Sequence, residues 1–357
     1  MKIERIAVRS GYDKKRCLVH ARCCFAPGLA LTTAQDLDVT GCDLFGGLQS
    51  ALSFDGGATW TDFAPQAGLA PRREGELVTV SCDATPLYHK KTGRILLLGH
   101  TARYADGIKS PVSGERGTFW SVFDPVSREF FPLRILKMPG GYEDCGNGSG
   151  QSVELDNGDI LVPVYFSRPG ETRYSSAVMR CAFDGSELTL LEIGAPLDFP
   201  VARGIYEPSV IRFGNGFFLT ARNDECGLVA QSRDGLNYTG LRLWKWEDGS
   251  LLQNYNTQQH WMILSDGLYL VYTRRGAANG HVFRHRAPLF AAKVKDMKLI
   301  RDSETVIVEE RGARLGNFSV APCPGGAAVM AAEWMQPIGC EKYGADNTVW
   351  LSRVFAD

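Results

Sequence analysis

Glu207 and Arg222 bracket the stretch Tyr206-Glu207-Pro208-Ser209-Val210-Ile211-Arg212-Phe213-Gly214-Asn215-Gly216-Phe217-Phe218-Leu219-Thr220-Ala221-Arg222. Two apolar-rich runs with Gly-Asn-Gly between them read as a β-hairpin whose turn tolerates positive φ. Antiparallel strands bring the chain back to the end where it started, so the carboxylate and the guanidinium meet away from the turn. A carboxylate in that place is suited to acid–base work. A guanidinium beside it is suited to gripping an anion through charge-assisted, bidentate bonds.

The hairpin is one of six. Turn glycines stand at Gly28, Gly93, Gly158, Gly216, Gly267 and Gly326, separated by 65, 65, 58, 51 and 59 residues. Apolar runs follow each: Leu29–Leu31, Ile95–Leu98, Ile160–Val164, Phe217–Thr220, Leu268–Tyr272 and Ala327–Ala331. A single small sheet cannot bury both of its faces, and this spacing suits four-stranded sheets stacked radially. The expected fold is all-β, a six-bladed β-propeller of four-stranded antiparallel blades. Met1–Arg9 alternates like a strand and would close the last blade beside Thr348–Phe355, so that residues 1–357 make one domain.

If the hairpins superpose, residues at equal offsets from the turn meet at one rim of the ring. Nine residues before the turn glycine stand Val19, Ala84, Ser149, Glu207, Gln258 and Asn317; six or seven after it stand Gln35, His100, Tyr165, Arg222, Arg274 and Glu333. Carboxylate, guanidinium, imidazole, phenol and amide converging in this way suit a saccharide pocket. His260 adds a proton-transfer group. With His281 and His285 it could also ligate a divalent cation, although no cofactor is otherwise implied.

Ser53-Phe54-Asp55-Gly56-Gly57-Ala58-Thr59-Trp60 has the form S-x-D-G-G-x-T-W, with shorter copies at Ser232–Tyr238 and Phe183–Gly185. An Asp accepting local N–H bonds, with glycines for open φ, makes a tight turn. The motif resembles the Asp-box of the sialidase superfamily, which joins the outer two strands of a blade. The Glu207–Arg222 stretch likewise resembles the sialidase hairpin that carries a catalytic-site Glu and one member of an arginine triad. By the same resemblance Glu333 matches the Glu that partners the nucleophilic Tyr, Arg286 matches a second triad arginine, and Asp43 matches the general acid. Two features depart from the family. Asn317 stands where the nucleophilic Tyr belongs, and Ala21-Arg22-Cys23-Cys24 replaces the Arg-Ile-Pro signature, leaving Arg22 as the substitute.

The resemblance implies an exo-acting glycoside hydrolase for a terminal sugar bearing a carboxylate, not necessarily sialic acid. Arg222 and Arg286, with Arg274 or Arg22, would hold that carboxylate. Glu207, Glu333 and Asp43 would supply the acid and base, with Asn317, Gln258, His100 and Tyr165 around the sugar. The alternatives are a uronic-acid lyase with His260 as base, and a glycan-binding propeller without catalysis.

Other classes are excluded by composition and motif. A formal net charge of −1 leaves no footprint for nucleic acid or anionic membrane. No apolar run approaches the ~20 residues a spanning helix needs. The ten cysteines include no CxxC pair and read as reduced core thiols of a cytoplasmic protein. Walker, HExxH and G-x-S-x-G motifs are missing, and the glycine-rich run Gly146–Gly150 lacks a βαβ setting. Nothing in the sequence declares an oligomeric state.

Overall fold

Period-two alternation decides the architecture. Leu97 packs toward Leu31, Leu48 and Phe119, while its neighbours Leu96 and Leu98 pack toward Val162, Val164 and Met179. Leu228 and Ala230 face Leu161 and Val178, whereas Val229 faces Trp244, Trp261 and Tyr272. Each sheet therefore buries both faces, one against the preceding sheet and one against the next. That can only be satisfied all round by a ring.

A computed structural model describes residues 1–357 except 42, 113–115 and 148. It shows six antiparallel sheets arranged as a propeller. Blade 1 comprises Arg16–Ala26, Leu29–Asp38, Leu44–Ser53 and Ala64–Pro65; blade 2 is built on Leu77–His89, Arg94–Ala105 and Thr118–Asp124. In blade 3 the first strand is split into Glu143–Gly146 and Val153–Glu154, followed by Ile160–Ser167, Tyr174–Phe183 and Leu188–Ile193. Blade 4 holds Tyr206–Phe213, Gly216–Arg222, Gly227–Ser232 and Thr239–Leu243; blade 5 is built on His260–Leu264, Gly267–Tyr272 and Leu289–Lys295. Blade 6 takes Phe318–Cys323, Gly326–Ala332 and Val349–Phe355 from the C-terminal part of the chain and Lys2–Arg9 from the N-terminus, with Lys2 opposite Phe355. Gly146, the first residue of the glycine-rich run, belongs to blade 3, and Gly148 of that run lies outside the described residues.

The links between third and fourth strands are held by local bonds to an aspartate. Thr59 donates its N–H to Asp55 (2.9 Å), and Ser53 donates its hydroxyl to the same carboxylate (2.8 Å). Asp234 and Asp184 act alike in blades 4 and 3. Asp124 does so in blade 2, where the sequence carries no recognisable motif. The nine described cysteines are all free thiols; Cys42 lies outside the described residues. Among the described residues no helix is long and apolar enough to cross a membrane.

One irregularity recurs in the first strands. In blades 1 to 4, three residues of the first strand span two of its partner: Val19–Arg22 against Gln35–Thr33, Cys82–Thr85 against His100–Leu98, Glu143–Gly146 against Ser167–Tyr165, and Tyr206–Ser209 against Arg222–Thr220. Each is a one-residue bulge, and each contains a residue with a Cβ in left-handed backbone: His20 (φ 54°), Asp83 (51°), Asp144 (44°) and Glu207 (50°). A bulge re-aims the side chain at its apex, here toward the axis. Such backbone costs on the order of 1–3 kcal/mol per residue and persists where surrounding structure enforces it.

Candidate active site

The four bulge residues line one cavity of about 560 Å³, and every blade contributes to its wall. It therefore sits over the centre of the ring, and its size suits a small ligand. Among the described residues, seven arginines and five carboxylates face it.

Glu207 and Arg222 meet as the hairpin requires. Arg222 Nη1 donates to Glu207 Oε2 at 2.6 Å, with both side chains about nine-tenths buried. Arg222 also donates to Asn256 Oδ1 (2.5 Å) and stacks on the ring of Tyr206 at 4.7 Å. Arg203 covers the same ring at 4.9 Å, and the Tyr206 hydroxyl donates to Asp224 (2.5 Å).

A second group of guanidiniums comes from the loops before the third strand of blade 5 and the first strand of blade 6. Arg286 is 3% exposed and donates only to uncharged oxygens: Asn256 O (2.5 and 3.0 Å) and Asn317 Oδ1 (3.4 Å). Arg314 stacks on Trp334 at 3.9 Å and donates to Gln336 at 3.1 Å, leaving its buried Nε without a partner. Burial, with Arg222, Arg314 and Arg284 nearby, drives Arg286 well below the usual arginine range. Burial and Arg284 bring Arg314 down to about 10, against the pull of Asp43. Neither ion-pairs with a carboxylate among the described residues. A buried cation without a counter-charge is costly, and a bound anion would relieve it.

Asp43 faces these arginines from the loop before the third strand of blade 1, with its carbonyl accepting from Tyr104 (2.6 Å). On the floor, Asp83 accepts from Ser149 Oγ (2.9 Å), Gln258 Nε2 (3.4 Å) and Arg22 Nη2. Burial would raise its pKa, but His20, Arg22 and His100 together hold it far below the carboxylate range. Burial and Arg116 pull His100 down to about 3. Burial pushes the phenols of Tyr165 and Tyr206 up, so both are protonated at neutral pH.

Of the residues singled out from the sequence, Glu207, Asp43, Arg222, Arg286, Asn317, His100 and Tyr165 line the cavity. Arg22 and Gln258 lie beneath it and act through Asp83. Three others are elsewhere. The Glu333 carboxylate is turned into its own blade, accepting from the backbone N–H of Asp346 (2.8 Å) and Thr348 (2.9 Å) and from Trp350 Nε1 (3.2 Å). Arg274 is locked in a fork with Glu304 (2.7 and 2.5 Å). His260 is buried against Phe318 with Nδ1 bonded to Ser209 Oγ (2.8 Å). The three histidines do not converge, since His281 pairs with Glu310 and His285 with Tyr255. Among the described residues no cluster of three or more His, Cys, Asp or Glu could hold a metal. His20, Asp83, Arg116, Arg203, Asp224 and Arg314 line the cavity without having been placed there from the strand offsets.

In fold the chain is a six-bladed propeller of the sialidase type. It superposes on the Trypanosoma rangeli sialidase with a TM-score of 0.69, covering 99% of this chain and 59% of that one at 15% identity. For the NanB sialidase of Streptococcus pneumoniae the TM-score is 0.63, over 97% and 69% of the two chains at 11% identity. A GH43 β-1,3-galactosidase matches at 0.55, over 83% and 99% at 10% identity. The chain thus spans about three-fifths of the trypanosomal enzyme, and at these identities the likeness is one of fold. No described protein family and no curated protein matches the sequence.

Proposed function

We propose that this protein is an exo-acting glycoside hydrolase whose substrate ends in a sugar bearing a carboxylate. The observation that carries the reading is the pair Arg286 and Arg314: buried in the cavity wall, without a carboxylate partner among the described residues, and facing a pocket that also holds Glu207 and Asp43. Planar guanidiniums grip a carboxylate bidentately and discriminate against neutral sugars. Arg222 joins them from blade 4. Asp43 gives the leaving oxygen its proton, and the charge of Glu207 stabilises the oxocarbenium character that develops as the glycosidic bond breaks. Asn317 offers no nucleophile, and the described phenols of the pocket are either bonded to carboxylates or held protonated by burial. Water therefore attacks directly. Similarity of fold supports the class of reaction, since one Trypanosoma rangeli sialidase structure holds sialic acid.

The test is a panel of fluorogenic aryl glycosides of 2-keto-3-deoxy sugar acids, uronic acids and neutral hexoses. Release of fluorophore from one or more acidic members, and not from the neutral ones, is expected. Cleavage confined to neutral sugars would sink the proposal. An unsaturated product seen by ultraviolet absorbance would replace hydrolysis by elimination, and saturable binding without product would make the propeller a glycan-binding module.

A further inference from the structure

The floor of the cavity holds a pair that the reading above leaves unused. His20 is the apex of the blade 1 bulge, and Asp83 is the apex of the blade 2 bulge. His20 Nδ1 stands 3.5 Å from Asp83 Oδ1. The imidazole is fixed between Phe45 (4.9 Å) and the edge of Trp334 (5.2 Å), yet neither ring nitrogen has a hydrogen-bond partner among the described residues. An imidazole only 4% exposed with both nitrogens unbonded is expensive, and strained backbone is spent on pointing it at the cavity. Asp83 is well furnished by contrast, held by Ser149, Gln258 and Arg22.

We propose that His20, oriented by Asp83, is the general base that activates the attacking water. The inference rests on the hydrolase reading and completes it. Asp83, 3.5 Å from Nδ1, favours the proton on that nitrogen, which leaves the lone pair on Nε2 of a ring that lines the cavity. The proton of water passes to Nε2 as the water oxygen bonds to the anomeric carbon. The glycosidic C–O bond breaks, and its electron pair takes the proton of Asp43 to leave as the alcohol. Imidazolium and carboxylate then return to their starting states by exchange with solvent, so no co-reactant is needed. A single displacement delivers the sugar with inverted anomeric configuration. Glu207 is the weaker choice, because its Oε2 is already bonded to Arg222. The charged groups acting on His20 are Asp83, Arg22, Asp43 and Glu207, and His100 acts in turn on Asp83. Burial holds the imidazole neutral against the pull of Asp83, so the base is available through the neutral range.

Two variants keep the left-handed backbone relaxed: His20→Asn, since Asn tolerates that region, and His20→Gly, which has no Cβ. At the saturating substrate found with the aryl glycoside panel, His20→Asn is expected to lose at least 10³-fold in kcat with little change in melting temperature. Free imidazole should restore part of the rate to His20→Gly but not to the parent. Proton NMR of the first-formed sugar should show inversion, and ¹⁵N spectra of histidine-labelled enzyme should show the Nδ1–H tautomer at His20. Activity of His20→Asn within tenfold of the parent, a retained anomer, or an Nε2–H tautomer would each overturn the assignment. A parent inactive on every glycoside would fell the hydrolase reading instead, and the tautomer would still test the Asp83–His20 pairing.

Discussion

Replacing Glu207 by Gln and Arg222 by Met, singly and together, separates an ion pair that locks blade 4 from one that serves the reaction. The two groups are 2.6 Å apart with 11% and 8% of their side chains exposed, so each single replacement strands a largely buried charge. Breaking one side of such a pair costs about 3–5 kcal/mol. Glu207→Gln stands at the low end, because the amide oxygen still accepts from Nη1. Arg222→Met stands at the high end, because it also loses the bond to Asn256 and the stacking on Tyr206. The double variant buries no stranded charge, so its cost should fall short of the sum by about 2–3 kcal/mol, as expected for groups in contact. Denaturant midpoints on all four proteins give that coupling. Turnover of the acidic aryl glycoside gives the other reading. If Glu207 supplies charge to the transition state, the double variant regains stability but stays at least 10³-fold slow, about 4 kcal/mol in barrier. A double variant restored to within tenfold of parental turnover would show that the pair only fastens the hairpin, and the assignment of Glu207 would fall.

Three further outcomes follow from the same geometry. Burial holds His20, His100 and His260 in their neutral forms, the last two at about 3, so each binds its proton more weakly folded than unfolded. Their contribution is complete above pH ~6.5 and is lost as pH falls from there toward 3; by pH 5 the loss amounts to about 2 kcal/mol for each histidine at about 3, and a denaturant midpoint flat between pH 7 and 5 would contradict this. Replacing Arg286 or Arg314 by Met should raise KM for an acidic glycoside roughly 10- to 100-fold, as for a lost charge-assisted bond, while raising the melting temperature of the ligand-free protein by removing an unpaired buried cation; loss of both affinity and stability would show that these arginines are structural. Leu97→Ala, at a fully buried position between blades 1 and 2, should cost about 2–5 kcal/mol without altering KM, and a cost under about 1 kcal/mol would place the alternation argument in doubt.

The ring was legible in the sequence because glycine turns and alternating apolar runs are local signals, and radial stacking is the way six such hairpins bury both faces. The site was legible only where strand offset decides position. Glu207 and Arg222 were placed because a two-residue turn, Gly214-Asn215, fixes their register. Blade 2 has four residues between its paired turn ends, His89 and Arg94, so the equivalent residue is Asp83 and not Ala84 at the counted offset. Glu333 has the right offset, but the N–H groups of Asp346 and Thr348 capture its carboxylate, which only the fold of the following loop determines. Arg314 comes from a loop and has no offset to count.

A further signal lies in the alternation itself. Val19-His20-Ala21, Cys82-Asp83-Ala84 and Tyr206-Glu207-Pro208 each set one ionisable residue between apolar neighbours inside a strand-like run, and each breaks the period of two. In a regular strand such a residue would point into the apolar space between blades and its charge would go unmet. The bulge resolves the conflict by turning the same residue toward the axis, at the cost of left-handed backbone on a side chain with a Cβ. An ionisable residue that violates alternation near the start of a blade is thus a better locator of this cavity than distance from the turn. By that criterion His20 belongs with Glu207 and Asp83, although no resemblance to a known site would have selected it.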